Sequence, residues 1–143
     1  MTTQIRILLA VTLVLLFALS ACQSSPQDLR QEVSLDGGGS YRVVSVQDLQ
    51  TMIENKDFTM INVHIPWQGD IPQTDLRLPF DQIEQNLEKL PAEKDAKILV
   101  YCLTSGMAKK SVQSLSDLGY SDIWMLDGGT TAWEEAGLSL IGE

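Results

Sequence analysis

Apolar positions along the chain fall into short runs and helical stripes. Ile7 to Leu19 is an apolar run broken only by Thr12. Gln23 to Ser40 has little apolar periodicity and carries Ser24-Ser25-Pro26 and Gly37-Gly38-Gly39-Ser40, the composition of a flexible linker. From Tyr41 the pattern becomes regular. Tyr41 to Val44 reads as a strand. Ser45 then stands as an N-cap, with Asp48 three residues on as a weaker version of the capping-box acid. Val46, Leu49, Met52 and Ile53 form a helical stripe. Phe58 to Val63 predicts a second strand, and His64 to Pro79 a loop rich in Pro, Gly and Asp. Phe80, Ile83, Leu87 and Leu90 predict an amphipathic helix stopped by Pro91. Ile98 to Tyr101 is a short, uncharged run expected as a buried strand. Ala108, Val112, Leu115 and Leu118 predict a helix, with Gly119 as its C′ residue. Ile123 to Leu126 predicts the last strand, Asp127-Gly128-Gly129 a turn, and Thr130 to Ala136 a short helix.

Strands that alternate with helices imply an α/β layer structure with a mainly parallel sheet. Sites in such sheets lie outside the carboxyl ends of the strands. Cys102 occupies such an end, where a strand hands over through Thr104-Ser105-Gly106 to a helix. Backbone N–H groups and the positive helix N-terminus there stabilise an anion, so the thiol is expected to react as a thiolate. The plainer alternative is an inert buried cysteine. His64 and Asp127 also fall at strand ends.

Composition narrows the function. The chain has 143 residues and a formal net charge of −9, which argues against nucleic-acid binding. One His and two Cys leave no metal cluster and no cofactor is implied. Arg6, the apolar run and a small-residue close form a secretory signal over residues 1–21, too short for a membrane span of about 20 apolar residues. Leu19-Ser20-Ala21-Cys22 resembles the lipobox of bacterial lipoproteins. That resemblance implies cleavage before Cys22 and lipidation of its sulfur. The mature chain then carries 9 basic against 19 acidic side chains, net −10, and Cys102 is its single free thiol. A lone thiol in an oxidising compartment calls for a chemical role. Residues 22–40 are then the lipidated Cys and a tether with a reach of roughly 25 Å. Gln23, which is not the Asp that resembles an inner-membrane retention signal, points to the outer membrane if the source has one. The expected location is the cell envelope, lipid-anchored and facing the periplasm or the exterior.

Residues 41–143 resemble a single-domain rhodanese, a sulfurtransferase family. The resemblance rests first on Val100-Tyr101-Cys102, the six-residue loop from Cys102 to Met107, and the helix closing in Leu118-Gly119-Tyr120. Leu126-Asp127-Gly128-Gly129, Ala132-Trp133 and Gly137 match the family's terminal pattern. It implies a three-layer α/β domain with a mainly parallel central sheet flanked by helices. Three positions depart from the family. Asn62 and His64 replace the acid and the base of its Asp-Val-Arg stretch, and Asp70 replaces His in its Gly-His-Ile-Pro. The loop also lacks Arg or Lys, which makes thiosulfate a poor expected donor.

The resemblance implies roles. Cys102 would be the nucleophile that takes sulfane sulfur from a donor as a persulfide. The N–H groups of Leu103, Thr104, Ser105, Gly106, Met107 and Ala108 would hold the substrate's charge. A thiol or cyanide would then accept the sulfur. His64 is expected as a loop residue hydrogen-bonded to backbone. Lys109 and Lys110 either attract an anion or are exposed helix residues. Asp127 reads as structural, Trp124 and Trp133 as core, and Trp67 as either a pocket wall or an exposed loop aromatic. Two functions stay open: a membrane-anchored sulfurtransferase, expected as a monomer, or a low-turnover sulfur-carrier or protein-binding module on the same fold. A phosphatase is set aside, because the sixth residue after the cysteine is Ala108 and not an Arg that clamps phosphate.

Overall fold

The computed structural model describes residues 31–142. The expected signal segment and Cys22 lie outside the described residues. Six strands form one sheet in the order β1-β2-β6-β5-β3-β4: β1 (Gln31–Ser34), β2 (Ser40–Val44), β3 (Thr59–Asn62), β4 (Leu76–Arg77), β5 (Ile98–Tyr101) and β6 (Ile123–Leu126). All neighbours are parallel except β1, which runs antiparallel to β2.

The central strands are buried on both faces, as the uncharged runs require. Alternation along β5 sends Ile98 and Val100 into one core and Leu99 and Tyr101 into the other. β6 divides in the same way, Ile123 and Met125 against Trp124 and Leu126. Helix α1 (Val46–Glu54) and helix α3 (Gly129–Glu135) cover one face through Leu49 and Trp133. Helix α2 (Gly106–Asp117) covers the other through Ala108, Val112 and Leu115. The result is the expected three-layer α/β domain.

Local signals account for the helix ends. Ser45 Oγ accepts from Asp48 N–H and the Asp48 carboxylate accepts from Ser45 N–H, both at 3.1 Å, so two of the first-turn donors are satisfied. At the end of α2 the Tyr120 N–H donates to Leu115 C=O and the Gly119 N–H to Ser116 C=O. Gly119 at φ 88° makes that reversal without a Cβ clash.

Two expectations are corrected. The tether does not extend to Ser40: Gln31–Ser34 pairs with β2, and Val33 and Leu35 pack against the core. The polar Gln-Glu-Val-Ser segment has no apolar period of its own, and its order comes from the edge of β2. The helix expected from Phe80 to Leu90 is instead a 3₁₀ segment, Glu84–Lys89, kinked at Asn86 (φ −128°, ψ 37°). The Asn86 side-chain amide donates to Gln82 C=O, a local bond that competes with helix. Ile83 and Leu90 still reach the core, and Leu87 points to solvent.

Candidate active site

The carboxyl ends of β3, β5 and β6 bring the candidate residues to one edge of the sheet. Asn62 on β3 is in register with Tyr101 on β5, so the segments after them, carrying His64 and Cys102, leave the sheet side by side. Cys102 is a free, buried thiol, 1% exposed.

The loop after Cys102 is held from outside by the start of α3. Thr130 N–H donates to Cys102 C=O and Thr131 N–H to Leu103 C=O, both at 2.9 Å. These bonds turn the first two loop carbonyls toward α3. Among the described residues, the first N–H after Cys102 to find a backbone acceptor in this run is that of Lys109, to Ser105 C=O at 3.0 Å. Among the described residues the N–H groups of Leu103 to Ala108 make no backbone hydrogen bond, the last of them because they open helix α2. Ser105 adds a second tether: its Oγ accepts from Gly128 N–H at 3.1 Å and donates to Asp127 Oδ1 at 3.4 Å. Asp127 thus serves the loop's position, in keeping with a structural reading.

Gly129 sets how closely these two segments approach. Its φ is 57°, and a Cβ there would lie 2.6 Å from Thr104 O, 2.8 Å from the Leu103 carbonyl carbon, and nearer still to Cys102 O. The sequence marks Gly128-Gly129 as a turn. That the second glycine presses on the cysteine loop is a tertiary fact.

The substituted positions 62 and 70 prove to be one unit. Asn62 Nδ2 donates to Asp70 Oδ1 at 2.9 Å, Trp67 Nε1 donates to the same oxygen at 3.0 Å, and Arg77 Nε donates to Oδ2 at 2.6 Å. Burial raises the cost of the Asp70 charge, but these donors together outweigh it and hold its carboxyl below the ordinary value. Tyr101 joins the unit: its hydroxyl accepts from Ile71 N–H at 3.0 Å and lies 2.7 Å from Thr74 Oγ1. Burial pushes its phenol up to about 12. The paired replacement of two family residues was the sequence signal for this network. Arg77, on β4 within a segment expected as a loop, carried none.

His64 departs from expectation. Its backbone N–H donates to Asn62 Oδ1 at 3.0 Å, but both ring nitrogens are buried and make no hydrogen bond among the described residues. Burial lowers its pKa, favouring the neutral imidazole. Lys109 and Lys110 are exposed, and Lys110 Nζ sits 5.1 Å from the centre of the Phe80 ring.

A cleft of about 370 Å³ opens beside the loop. Trp67, Gln68 and Gly69 form one wall, Leu103 brings in the cysteine loop, and Thr130, Glu134 and Leu140 complete it. Trp67 is thus a pocket wall. Among the described residues no cluster of His, Cys, Asp and Glu could hold a metal ion, and no helix is long and apolar enough to cross a membrane.

A profile of the rhodanese-like domain matches residues 45–136. This chain belongs to the rhodanese-like family. Among curated relatives it is 26% identical over 99 residues to the thiosulfate sulfurtransferase GlpE of Shewanella oneidensis, covering 68% of this chain and 96% of that one. It is 25% identical over 100 residues to an uncharacterized protein of Synechocystis, where it spans about half of the relative's length (68% of this chain, 55% of that one). Among solved structures, a rhodanese-related protein from Thermoplasma volcanium is 27% identical with a TM-score of 0.60, covering 72% of this chain and all of that one. A thiosulfate sulfurtransferase from Pseudomonas aeruginosa is 30% identical with a TM-score of 0.59, but covers 68% of this chain and 19% of that one.

Proposed function

We infer that this rhodanese-like protein is a sulfurtransferase that carries sulfane sulfur as a persulfide on Cys102. The observation that supports the reading is the loop itself: Thr130 and Thr131 take up the Cys102 and Leu103 carbonyls, and the N–H groups of Leu103, Thr104, Ser105, Gly106, Met107 and Ala108 make no backbone hydrogen bond among the described residues, so in this reading they are the groups that hold negative charge. In the first step the Cys102 thiolate attacks the outer sulfur of a donor. The new Sγ–S bond forms as the donor's S–S bond breaks, and the donor residue leaves with the electron pair. In the second step a thiolate or cyanide attacks the outer sulfur and Cys102 departs as a thiolate. No external oxidant is needed, and no base is required of His64.

The lack of Lys or Arg in the loop supports a second reading, a low-turnover sulfur carrier that takes sulfur from a partner protein. Intact-mass measurement separates these. Incubation with sodium polysulfide is expected to add sulfur to the domain, and Cys102→Ser is expected to add none. Absence of any adduct on the intact Cys102 protein overturns both sulfur readings. Turnover with small thiols favours the enzyme, and a persulfide that small thiols leave untouched favours the carrier.

The chain is further proposed to be anchored in the cell envelope by lipid on Cys22, on the strength of Leu19-Ser20-Ala21-Cys22 after an apolar run. Fatty-acid labelling that survives Cys22→Ser would defeat that anchor.

A further inference from the structure

β1 fixes where the chain enters the domain. It runs antiparallel to β2, with Gln31 opposite Val43 and Ser34 opposite Ser40. Gln31 therefore stands near the carboxyl end of β2, where Asp127 N–H donates to Val44 C=O. That is the edge of the sheet at which the cysteine loop leaves β5. β1 lies three strands from β5, about 14 Å at ordinary strand spacing.

The pairing of β1 also shortens the link to Cys22. Residues 22–30 precede the strand, and nine residues span about 30 Å at full stretch. A lipid on Cys22 thus holds the domain within about one small-domain diameter of the bilayer, and holds it by the carboxyl edge.

The two edges of the sheet differ in chemistry. Among the described residues the exposed large apolar side chains are Trp67, Leu87 and Ile141. Trp67 and Ile141 meet at the carboxyl edge. Arg77, in register with Asn62 at the end of β3, stacks 3.8 Å from the Trp67 ring centre, and Trp67 Nε1–H donates to Asp70 Oδ1 at 3.0 Å. Asp70 N–H donates to Ile141 C=O at 2.9 Å, and Ile141 N–H returns to Asp70 C=O at 2.8 Å. Both side chains are thus fixed, yet Trp67 is 39% and Ile141 51% exposed. The amino edge instead carries ion pairs, Lys97 with Asp57 and Arg42 with Asp122. A held indole beside an aliphatic side chain suits the membrane–water interface, and paired charges do not. The chain is strongly acidic, so a zwitterionic surface opposes it less than an anionic one. Two side chains grip a bilayer weakly, but a short tether raises their effective concentration to the millimolar range, where a weak contact fills.

We propose that the carboxyl edge of the sheet docks on zwitterionic lipid through Trp67 and Ile141, which sets the cysteine loop at the membrane surface. Docking of this kind rests on the Cys22 anchor proposed above and adds which side of the domain meets the bilayer.

The test uses the full chain, made with its own signal, purified from membranes and reconstituted in phosphatidylcholine vesicles. Intact mass first establishes the lipid on Cys22. Tryptophan emission is then compared in ordinary phosphatidylcholine and in phosphatidylcholine brominated in its acyl chains, which quenches an indole in contact with the bilayer. Trp124 and Trp133 are buried and stay outside its reach. Brominated lipid is expected to remove about a third of the emission, the share of one indole in three. Trp67→Phe should abolish that loss, and Ile141→Asp, at an exposed position, should at least halve it. Combining Trp67→Phe with Ser121→Trp moves the exposed indole to the amino edge, where Ser121 N–H donates to Lys94 C=O, and bromine should leave its emission unchanged. Equal emission of the unsubstituted protein in the two lipids, or quenching in the Ser121→Trp double variant, overturns the proposal while the anchor stands. Absence of lipid on Cys22 removes both.

Discussion

Gly129→Ala tests the arrangement of the loop most directly. The substitution adds one carbon, and two costs follow. First, φ 57° is left-handed, which costs an L-residue about 1 kcal/mol. Second, the new Cβ would lie 2.6 Å from Thr104 O and closer to Cys102 O, where real Cβ contacts stay beyond 3.0 Å. The loop or α3 must withdraw by about 1 Å, and that strains the Thr130 and Thr131 bonds to Cys102 and Leu103. With two such hydrogen bonds weakened at about 1 kcal/mol each, the total is about 3 kcal/mol. A domain of this size then melts about 10–20 °C lower. The chemistry is expected to suffer beyond the loss of stability, because a misplacement of about 1 Å costs on the order of 100-fold in rate. The assay is the rate of persulfide formation on Cys102 by intact mass at a temperature where circular dichroism shows the variant folded. Gly137→Ala is the control: at φ 79° it carries the same left-handed cost, its added Cβ meets nothing within 4 Å, and it should load like the wild type. A Gly129→Ala variant that melts and loads like the wild type would refute the view that α3 positions the cysteine loop.

Three further predictions follow from the same structure. Tyr101→Phe should flatten the loss of stability at high pH: the phenol is raised from 10 to about 12 in the fold, so its contribution is complete below pH 10 and fades as pH rises through 12. The wild type should thus lose about 2–3 kcal/mol across that window by chemical denaturation, which the variant does not. Leu103→Arg should improve apparent affinity for thiosulfate by about threefold to tenfold, and added salt should erase the gain, because a loop-rim charge is screened within about 10 Å at 0.1 M; an unchanged thiosulfate response would show that loop charge is not what limits this donor. A chain beginning at Ser40 should melt about 10 °C below one beginning at Gln31, since loss of β1 uncovers Val33 and Leu35 contacts valued at about 2 kcal/mol; coincident melts would make β1 dispensable.

The order of elements, the buried strands and the place of Cys102 were all legible in the chain. Each is a local matter: an uncharged run such as Ile98 to Tyr101 can only be buried, and a helix stripe such as Val112 to Leu115 names its own inward face. The capping pair Ser45 and Asp48 and the glycine at 119 were legible for the same reason, since each answers a backbone need within a few residues. Local pattern misled where the outcome was set elsewhere. Gln31–Ser34 has no apolar alternation and became a strand because β2 offered an open edge. The stripe from Phe80 to Leu90 lacks a continuous helix because the Asn86 side chain took a backbone carbonyl. The site divides along the same line. The cysteine, its loop and the glycine pair could be read as residue types in order. That Gly129 presses against Cys102, that Asn62 and Asp70 are bonded partners with Arg77, and that Trp67 faces Leu103 and Glu134 across a cleft depended on segments far apart in the chain. Contacts of that kind are created by the packing of the sheet's carboxyl edge, and only the tertiary structure decides them.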